Sequence, residues 1–138
     1  TSFVEFTNNI PVLGICLGME MFFEKSQEGT QLGLDVINGE VIVLPDSLKV
    51  PHMGWNNLEI KKPGILLDGV NNGVWVYFVH SYRAKPTSDD VITAVSDYGI
   101  KVPAVVEYNN YFGTQFHPEK SGDTGKIMIE NFLNVCKK

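Results

Sequence analysis

Short apolar runs, most of them bounded by Gly, Pro or Asn, predict a chain built largely of β-strands. The run at 10–15 predicts a short buried strand, and it leads through the segment 14–18 into a predicted helix over 19–25. Further strands are predicted at 34–44, 57–60, 75–79, 91–96 and 104–108, and 111–116 returns as the hairpin partner of the last one. The chain closes with a predicted helix from Gly125 to about Val135.

This order of elements predicts an α/β fold. The first helix would turn Met19, Phe22 and Phe23 inward, and the last would bury a stripe made of Ile127, Phe132, Leu133 and Cys136. Strand and helix at the front, many strands in the middle and a helix at the end predict a mixed sheet with helices packed on it.

The front of this fold is expected to be missing. An α/β fold normally places several strand–helix units ahead of a nucleophile turn, whereas one predicted strand precedes Cys16. The chain also starts at Thr1 without an initiator Met, as a fragment, a processed product or a trimmed chain would. We therefore expect residues 1–138 to be a single, N-terminally incomplete domain.

Composition and charge exclude several classes of function. The 138 residues are 43% hydrophobic and 20% charged, as in an ordinary globular domain. A net charge of -5 argues against a nucleic-acid partner, which needs a basic face. The apolar runs are too short to span a bilayer, and the N-terminus has no signal-peptide pattern. Two cysteines are too few for a disulfide framework, so we expect a reduced, cytoplasmic setting.

Cys16 is the candidate nucleophile, because Gly14-x-Cys16-x-Gly18 is the cysteine form of the nucleophile elbow. In such a strand-to-helix turn, the flanking glycines avoid Cβ clashes and the helix N-terminus favours the thiolate. The N–H of Leu17 is then well placed as an oxyanion-hole donor. The pattern alone also suits a small buried cysteine between two turn glycines.

A cysteine nucleophile needs a histidine base, and His52, His80 and His117 are the candidates. His117-Pro118-Glu119 directly follows a predicted strand, and residues two apart in an extended segment point the same way. Glu119 could thus hold one ring nitrogen of His117 while the other faces Cys16. By itself the tripeptide also suits a loop histidine beside a solvated carboxylate.

A metal site is the other use of cysteine and histidine. Their spacing here contains neither a C-x₂-C nor an H-x₃-H pair. We therefore expect no metal and no cofactor.

Two segments resemble the signature motifs of class I (triad) glutamine amidotransferases. They are Pro-Val-Leu-Gly-Ile-Cys-Leu-Gly-Met at 11–19 and Gly-Thr-Gln-Phe-His-Pro-Glu at 113–119. Pro-His-Met-Gly-Trp-Asn at 51–56 and Tyr-Phe-Val-His-Ser-Tyr at 77–82 resemble the glutaminase subunit of imidazole glycerol phosphate synthase within that family. The resemblance runs from about Ile10 to the C-terminus and implies a flavodoxin-like mixed sheet flanked by helices.

The resemblance also implies an activity and a partner. Cys16 would attack the carboxamide of glutamine, and His117 would protonate the leaving ammonia before water cleaves the thioester. The ammonia would pass to a cyclase subunit, a (β/α)₈ barrel that makes imidazole glycerol phosphate in histidine biosynthesis. The implied site residues are Ser81 and Tyr82 at the glutamine head group, and Trp55, Asn56, Tyr77 and Lys120 near the cyclase.

Two departures from the family pattern affect these expectations. Family members carry Gln where this chain has Glu20, at a substrate-binding position, and a carboxylate there would oppose a nearby thiolate. The family's first third, with a glycine-rich loop that supplies the other oxyanion-hole N–H, precedes the point where the resemblance starts. We therefore expect this chain alone to be weakly active, and either poorly stable or self-associating.

Three alternatives to the glutaminase subunit stay open at this point. One is another class I amidotransferase, serving aromatic amino acid, purine or pyridoxal phosphate synthesis, although the motifs at 51–56 and 77–82 disfavour it. A cysteine peptidase or other hydrolase could use the same dyad. A non-catalytic subunit could keep the triad residues and bind a partner without turnover.

Overall fold

The structure is a computed structural model that describes residue 7 and residues 9–26 and 33–137. The helices of these residues are α1 (Leu17–Glu20) and α2 (Gly122–Cys136), with 3₁₀ turns at Asp89–Val91 and Pro118–Lys120. The strands are β1 (Val12–Ile15), β2 (Phe23–Ser26), β3 (Ile37–Val43), β4 (His52–Asn57), β5 (Glu59–Ile60), β6 (Trp75–His80), β7 (Tyr82–Pro86), β8 (Ile92–Asp97), β9 (Lys101–Tyr108) and β10 (Tyr111–Thr114).

The described strands form three sheets. The largest is mixed, with the order β1-β10-β9-β8-β5, in which β1 runs parallel to β10 and the other pairs are antiparallel. A second sheet has the order β2-β3-β7, and β4 pairs with β6 in a two-stranded ribbon. The predicted hairpin around Asn109-Asn110 is confirmed, because Tyr111 pairs with Tyr108.

The five-stranded sheet is covered on both faces. Neighbouring residues of one strand belong to different cores: Tyr111 packs with Met19 and Phe23, whereas Phe112 packs with Phe78 and Met128. Since side chains alternate across a strand, the two clusters lie on opposite faces of the sheet. One core therefore joins the sheet to α1 and to the β2-β3-β7 sheet, and the other joins it to β6 and α2.

The predicted helix over Met19–Lys25 is wrong beyond its first residues. The helix ends at Glu20, and Phe23 begins a strand that pairs in parallel with β3. Phe22 and Phe23 are buried as predicted, but Phe23 lies in a strand, a position that aromatic residues also favour. Tertiary pairing with β3 decided the outcome.

The burial of two further elements differs from the prediction. In β1 only Gly14 is buried, because within the described residues this strand pairs with β10 alone. In α2, Met128 is buried in the core, and the partly buried Phe132 and Val135 pack against it. Ile127, Leu133 and Cys136, predicted to be buried, are exposed. Within the described residues, neither helix is long and apolar enough to cross a membrane.

Candidate active site

Cys16 occupies a strained turn between β1 and α1. Its backbone has φ 56° and ψ -106°, a combination that residues with a Cβ adopt only at a cost of about 1–3 kcal/mol. A Cβ on Gly14 would lie 2.6 Å from the carbonyl carbon of Gly18 and 2.7 Å from the amide nitrogen of Met19. The elbow can therefore close only with glycine at position 14.

Gly18, the second glycine of the motif, does not avoid a Cβ clash as predicted. A Cβ on Gly18 would meet no atom of the described chain within 4 Å, so no clash requires glycine there. Leu17 is the first helical residue, and its N–H therefore has no acceptor within the helix. Such an N–H suits the predicted oxyanion-hole donor, although a four-residue helix favours a thiolate less than the longer predicted helix would.

The sheet brings the elbow and the second motif to the same edge. Ile15 pairs with Thr114, and the Cys16 N–H donates to the Thr114 carbonyl at 2.7 Å. Because β1 and β10 are parallel neighbours, the residues that follow them leave the sheet at one edge. Cys16 follows β1 there, and the segment from Gln115 to Glu119 follows β10. We call this region the catalytic edge.

His117 and Glu119 form the predicted pair. The Nδ1 atom of His117 lies 2.9 Å from Oε2 of Glu119. A carboxylate only accepts hydrogen bonds, so Nδ1 carries the proton and Nε2 of a neutral ring has a free electron pair. The His117 side chain is 20% exposed. This ring can accept a proton through Nε2 while Glu119 holds its orientation.

Ser121, which sequence reasoning did not identify, fixes the backbone of His117. Its buried hydroxyl donates to the His117 carbonyl at 2.6 Å and accepts from the Tyr77 N–H at 3.0 Å. The His117 N–H in turn donates to the Tyr77 carbonyl at 2.9 Å. Strand β6 thus holds His117 on both sides of its Cα.

The thiol of Cys16 has polar neighbours from two elements. It donates to the carbonyl of Val79 on β6 at 3.6 Å, and the amide nitrogen of Gln115 lies 3.8 Å from the sulfur. That same amide group donates to Oε2 of Glu20 at 3.0 Å. Gln115 is fully buried and Glu20 is 4% exposed, so the carboxylate is held by Gln115 beneath the elbow. A role of Glu20 in substrate binding stays a prediction.

The segment Ser81–Tyr82 turns the chain from β6 into β7. The Ser81 carbonyl accepts from the Leu44 N–H at 2.9 Å, and the Tyr82 carbonyl accepts from Nδ1 of His80 at 2.7 Å. This turn lies two residues beyond Val79, whose carbonyl holds the thiol. Contact with glutamine stays a prediction for both residues, which are half-buried.

His52 and His80 are not at the thiol but form a buried pair between β4 and β6. Nδ1 of His52 lies 2.9 Å from Nε2 of His80. Burial, followed by the charge of His80, lowers the pKa of His52 to about 4. Burial also lowers the pKa of His80 to about 4, helped by the nearby His117 and opposed by the bond to Tyr82. Both rings are therefore neutral at pH 7.

Of the residues predicted to lie near a partner, some have exposed side chains and others bond within the molecule. Trp55 is 54% exposed and packs edge-to-face against Tyr77, with ring centroids 5.9 Å apart. Lys120 is exposed beside Glu119. The Asn56 amide points instead to the Asp97 carbonyl at 3.0 Å and to Nε2 of His52 at 3.3 Å. A role at an interface stays a prediction for all four.

The residues of the candidate site that sequence reasoning missed are Val79, Gln115 and Ser121. The carbonyl of Val79 has no sequence signal, because any residue supplies one. Gln115 and Ser121 each lie two positions from the His-Pro-Glu triplet, and this closeness in sequence was an available signal.

Within the described part of the chain, no three His, Cys, Asp or Glu side chains are grouped closely enough to hold a metal ion.

Comparison with known proteins agrees with this geometry. The family model described as "Glutamine amidotransferase class-I" matches residues 3–136. The chain is 52% identical over 131 residues to "Imidazole glycerol phosphate synthase subunit HisH" of Archaeoglobus fulgidus, covering 94% of this chain and 66% of that protein. The protein of the same name from Caldanaerobacter subterraneus is 51% identical, covering 92% of this chain and 63% of the relative. The chain thus spans slightly less than two thirds of these relatives.

Solved structures share the fold. A glutamine amidotransferase from Thermotoga maritima matches with a TM-score of 0.62 at 21% identity, covering 96% of this chain and 50% of that one. A second structure, titled glutamine amidotransferase, matches with a TM-score of 0.69 at 16% identity, covering 98% and 65%. The predicted mixed α/β fold is thereby confirmed, and the chain belongs to the class I glutamine amidotransferase family.

Proposed function

We propose that this chain is a glutaminase that hydrolyses glutamine through a thioester on Cys16. The observation that carries the proposal is the strained elbow at Cys16 on the same sheet edge as the His117–Glu119 pair. A nucleophile raised on a strained turn, and a base held by a carboxylate, are the two parts that acyl transfer by a cysteine requires. The 46–52% identity to proteins named "Imidazole glycerol phosphate synthase subunit HisH" gives further support.

In the first half of the reaction, His117 takes the thiol proton through Nε2 and the Cys16 sulfur attacks the carboxamide carbon. The oxygen gains negative charge, and the Leu17 N–H donates to it. When the carbon–nitrogen bond breaks, the proton on His117 passes to the leaving nitrogen, and ammonia departs. The acyl group stays on sulfur as a thioester.

In the second half, water replaces ammonia. His117 takes a proton from the water as its oxygen attacks the thioester carbonyl, and the same N–H group holds the oxyanion. Collapse of this intermediate breaks the carbon–sulfur bond, releases glutamate and returns the proton to Cys16. Glu119 keeps the ring in the productive tautomer in both halves and stabilises the positive charge that forms on it.

The ammonia is proposed to pass to the cyclase subunit of imidazole glycerol phosphate synthase. The relatives' printed name supports this partner, and so does the exposed Trp55, which packs on the half-buried Tyr77 of the ribbon. Aromatic side chains are enriched at protein interfaces. We propose a cytoplasmic location, because a nucleophilic thiol must stay reduced.

The test is glutamate release from glutamine by this chain, with and without the cyclase subunit and its nucleotide ligand. We expect the cyclase to stimulate hydrolysis and Cys16→Ala to abolish it. The matched control is Cys136→Ala, which removes the exposed second cysteine and should leave the rate unchanged. Stable complex formation without hydrolysis in the wild type would instead establish a non-catalytic binding subunit.

A further inference from the structure

The ribbon contains a hydrogen-bond chain that starts and ends on backbone groups. The Asn56 amide oxygen accepts from the Asn57 N–H at 2.8 Å, and its nitrogen donates to the Asp97 carbonyl and to Nε2 of His52. Nδ1 of His52 is hydrogen-bonded to Nε2 of His80, and Nδ1 of His80 is hydrogen-bonded to the Tyr82 carbonyl. The chain thus runs from strand β4, across β6, into the Ser81–Tyr82 turn.

The direction of every bond in this chain is determined. The Tyr82 carbonyl only accepts, so Nδ1 of His80 carries a proton, and Nε2 of the neutral ring must accept. Nδ1 of His52 therefore donates, and its own Nε2 accepts from the Asn56 amide. At the other end, the Asn57 N–H and the Asp97 carbonyl independently require the same orientation of that amide. The two ends agree, which fixes both tautomers.

Packing holds the rings in place. The His52 ring is stacked between Phe78, at a centroid distance of 4.4 Å, and Tyr98, at 4.0 Å. His52 is 2% exposed and His80 is 5% exposed. Two buried imidazoles whose four ring nitrogens all have assigned hydrogen bonds have little freedom to rotate.

The far end of the chain lies against the proposed reaction site. Val79 precedes His80 and holds the Cys16 thiol through its carbonyl, and Ser81–Tyr82 follows it. His117 is close enough to His80 for its charge to lower the pKa of that ring. A neutral His80 therefore spares His117 a repulsive neighbour at the moment when His117 becomes positively charged.

We propose that His52 and His80 are positioning residues that hold the Ser81–Tyr82 turn in the shape that binds glutamine, with His52 acting by holding the orientation of the His80 ring. This inference rests on the proposed glutaminase function for its substrate. Without the His52 donor, the buried Nε2 of His80 accepts no hydrogen bond from His52, and the ring is held at Nδ1 alone. The ring could then turn away, and its bond to the Tyr82 carbonyl, which fixes the turn, would be weakened.

Steady-state hydrolysis of glutamine by the chain with the cyclase subunit tests this inference through two variants. His52→Phe keeps the stack on Phe78 and Tyr98 but removes the donor, and we expect KM to rise about five- to tenfold with kcat within about threefold. His52→Asn keeps a donor near the position of Nδ1 and loses the stack, so KM should stay within about threefold of the wild type. A merely structural role would lower kcat through inactive protein and leave KM unchanged.

Tyr98→Phe is the matched control, because it keeps the stack and removes only the bond from the Tyr98 hydroxyl to the Lys49 carbonyl. Its KM should equal that of the wild type. An unchanged KM in His52→Phe, or an equal rise in Tyr98→Phe, would overturn the inference.

Nitrogen NMR of the imidazole rings separates this inference from the proposed function. At pH 7 the wild-type spectra should show the Nδ1–H tautomer for His52 and His80 and a coupling across the bond between them. In His52→Phe this coupling should be lost, and the Nε2 signal of His80 should shift to that of a nitrogen that no longer accepts the hydrogen bond from His52. If the wild type hydrolyses no glutamine, the proposed function is rejected and these spectra alone decide the inference. A wild-type His80 without a proton on Nδ1 would overturn it.

Discussion

The catalytic edge and the ribbon use the same side chain for opposite purposes. At the catalytic edge, His117 is partly exposed and its partner is a carboxylate, which stabilises a positively charged ring. In the ribbon, His52 and His80 are buried, and their partners are neutral amide groups and each other, so a charged ring is disfavoured. Partner and burial, rather than residue type, decide which of the three histidines is suited to the proposed proton transfer.

The backbone shows the same contrast. Cys16 at the catalytic edge lies in a strained conformation, whereas β4 and β6 pair in regular antiparallel register from His52↔His80 to Asn57↔Trp75. Strain at a reactive residue must be balanced by stable structure around it. The four predictions that follow test this division of roles.

The largest effect is expected from His117→Asn. Losing the general base should lower kcat for glutamine hydrolysis about 10²–10⁴-fold, because the amide cannot carry the proton between sulfur and nitrogen. The midpoint of urea unfolding should change little, since the ring is partly exposed. A variant that lost stability instead of rate would place His117 with the structural histidines and break the comparison.

Acid should destabilise the fold through the ribbon. The pKa values of His52 and His80 lie near 4 in the folded state and near 6.5 when unfolded, so the unfolded state binds more protons between these values. Stability is therefore fully present above pH 6.5 and is lost as pH falls towards 4, by about 1.4 kcal/mol per pH unit for each ring.

Urea unfolding at several pH values between 7 and 4.5 measures this loss. His52→Phe removes one of the two rings and should show a shallower decline than the wild type, while titrating carboxylates contribute equally to both. Parallel declines in the two proteins would contradict neutral burial of His52.

Gly14→Ala should destabilise the catalytic edge by about 2–3 kcal/mol, because the new Cβ would collide with backbone atoms of Gly18 and Met19. Gly18→Ala is the matched control within the same motif. Its Cβ has open space and a helical position, so stability should stay equal or rise slightly. Equal losses in the two variants, measured by thermal unfolding, would show that the close approach at Gly14 is not what the motif requires.

The smallest effect concerns the strain at Cys16. Glycine adopts positive φ values readily, so Cys16→Gly should be about 1 kcal/mol more stable than Cys16→Ala in urea unfolding, although both lack the thiol. Both variants remove the sulfur, which makes their difference a measure of backbone strain. A Cys16→Ala variant of equal or greater stability would show that the elbow is unstrained.

Local patterns in the sequence identify much of the candidate site. The G-x-C-x-G spacing located Cys16, and the two-residue separation of His117 and Glu119 predicted their contact, because both are short-range features of the backbone. The hairpin at Asn109-Asn110 is local in the same way. The predicted helix over Met19–Lys25 failed, since Phe23 pairs with Ile37, a partner that no local pattern reveals.

The sequence by itself predicted the mixed α/β class and singled out Cys16, His117 and Glu119 as the candidate nucleophile, base and carboxylate, because these depend on residue type and on spacings of a few positions. Only the tertiary structure decided what His52, His80, Gln115 and Ser121 do. His52, His80 and Ser121 bond to residues of other strands and turns, as in the contact of His52 with His80, 28 positions away in the sequence. Gln115 bonds to Glu20 across the elbow. Hydrogen bonds between distant segments, and the burial that makes two histidines neutral, exist only once the strands have paired.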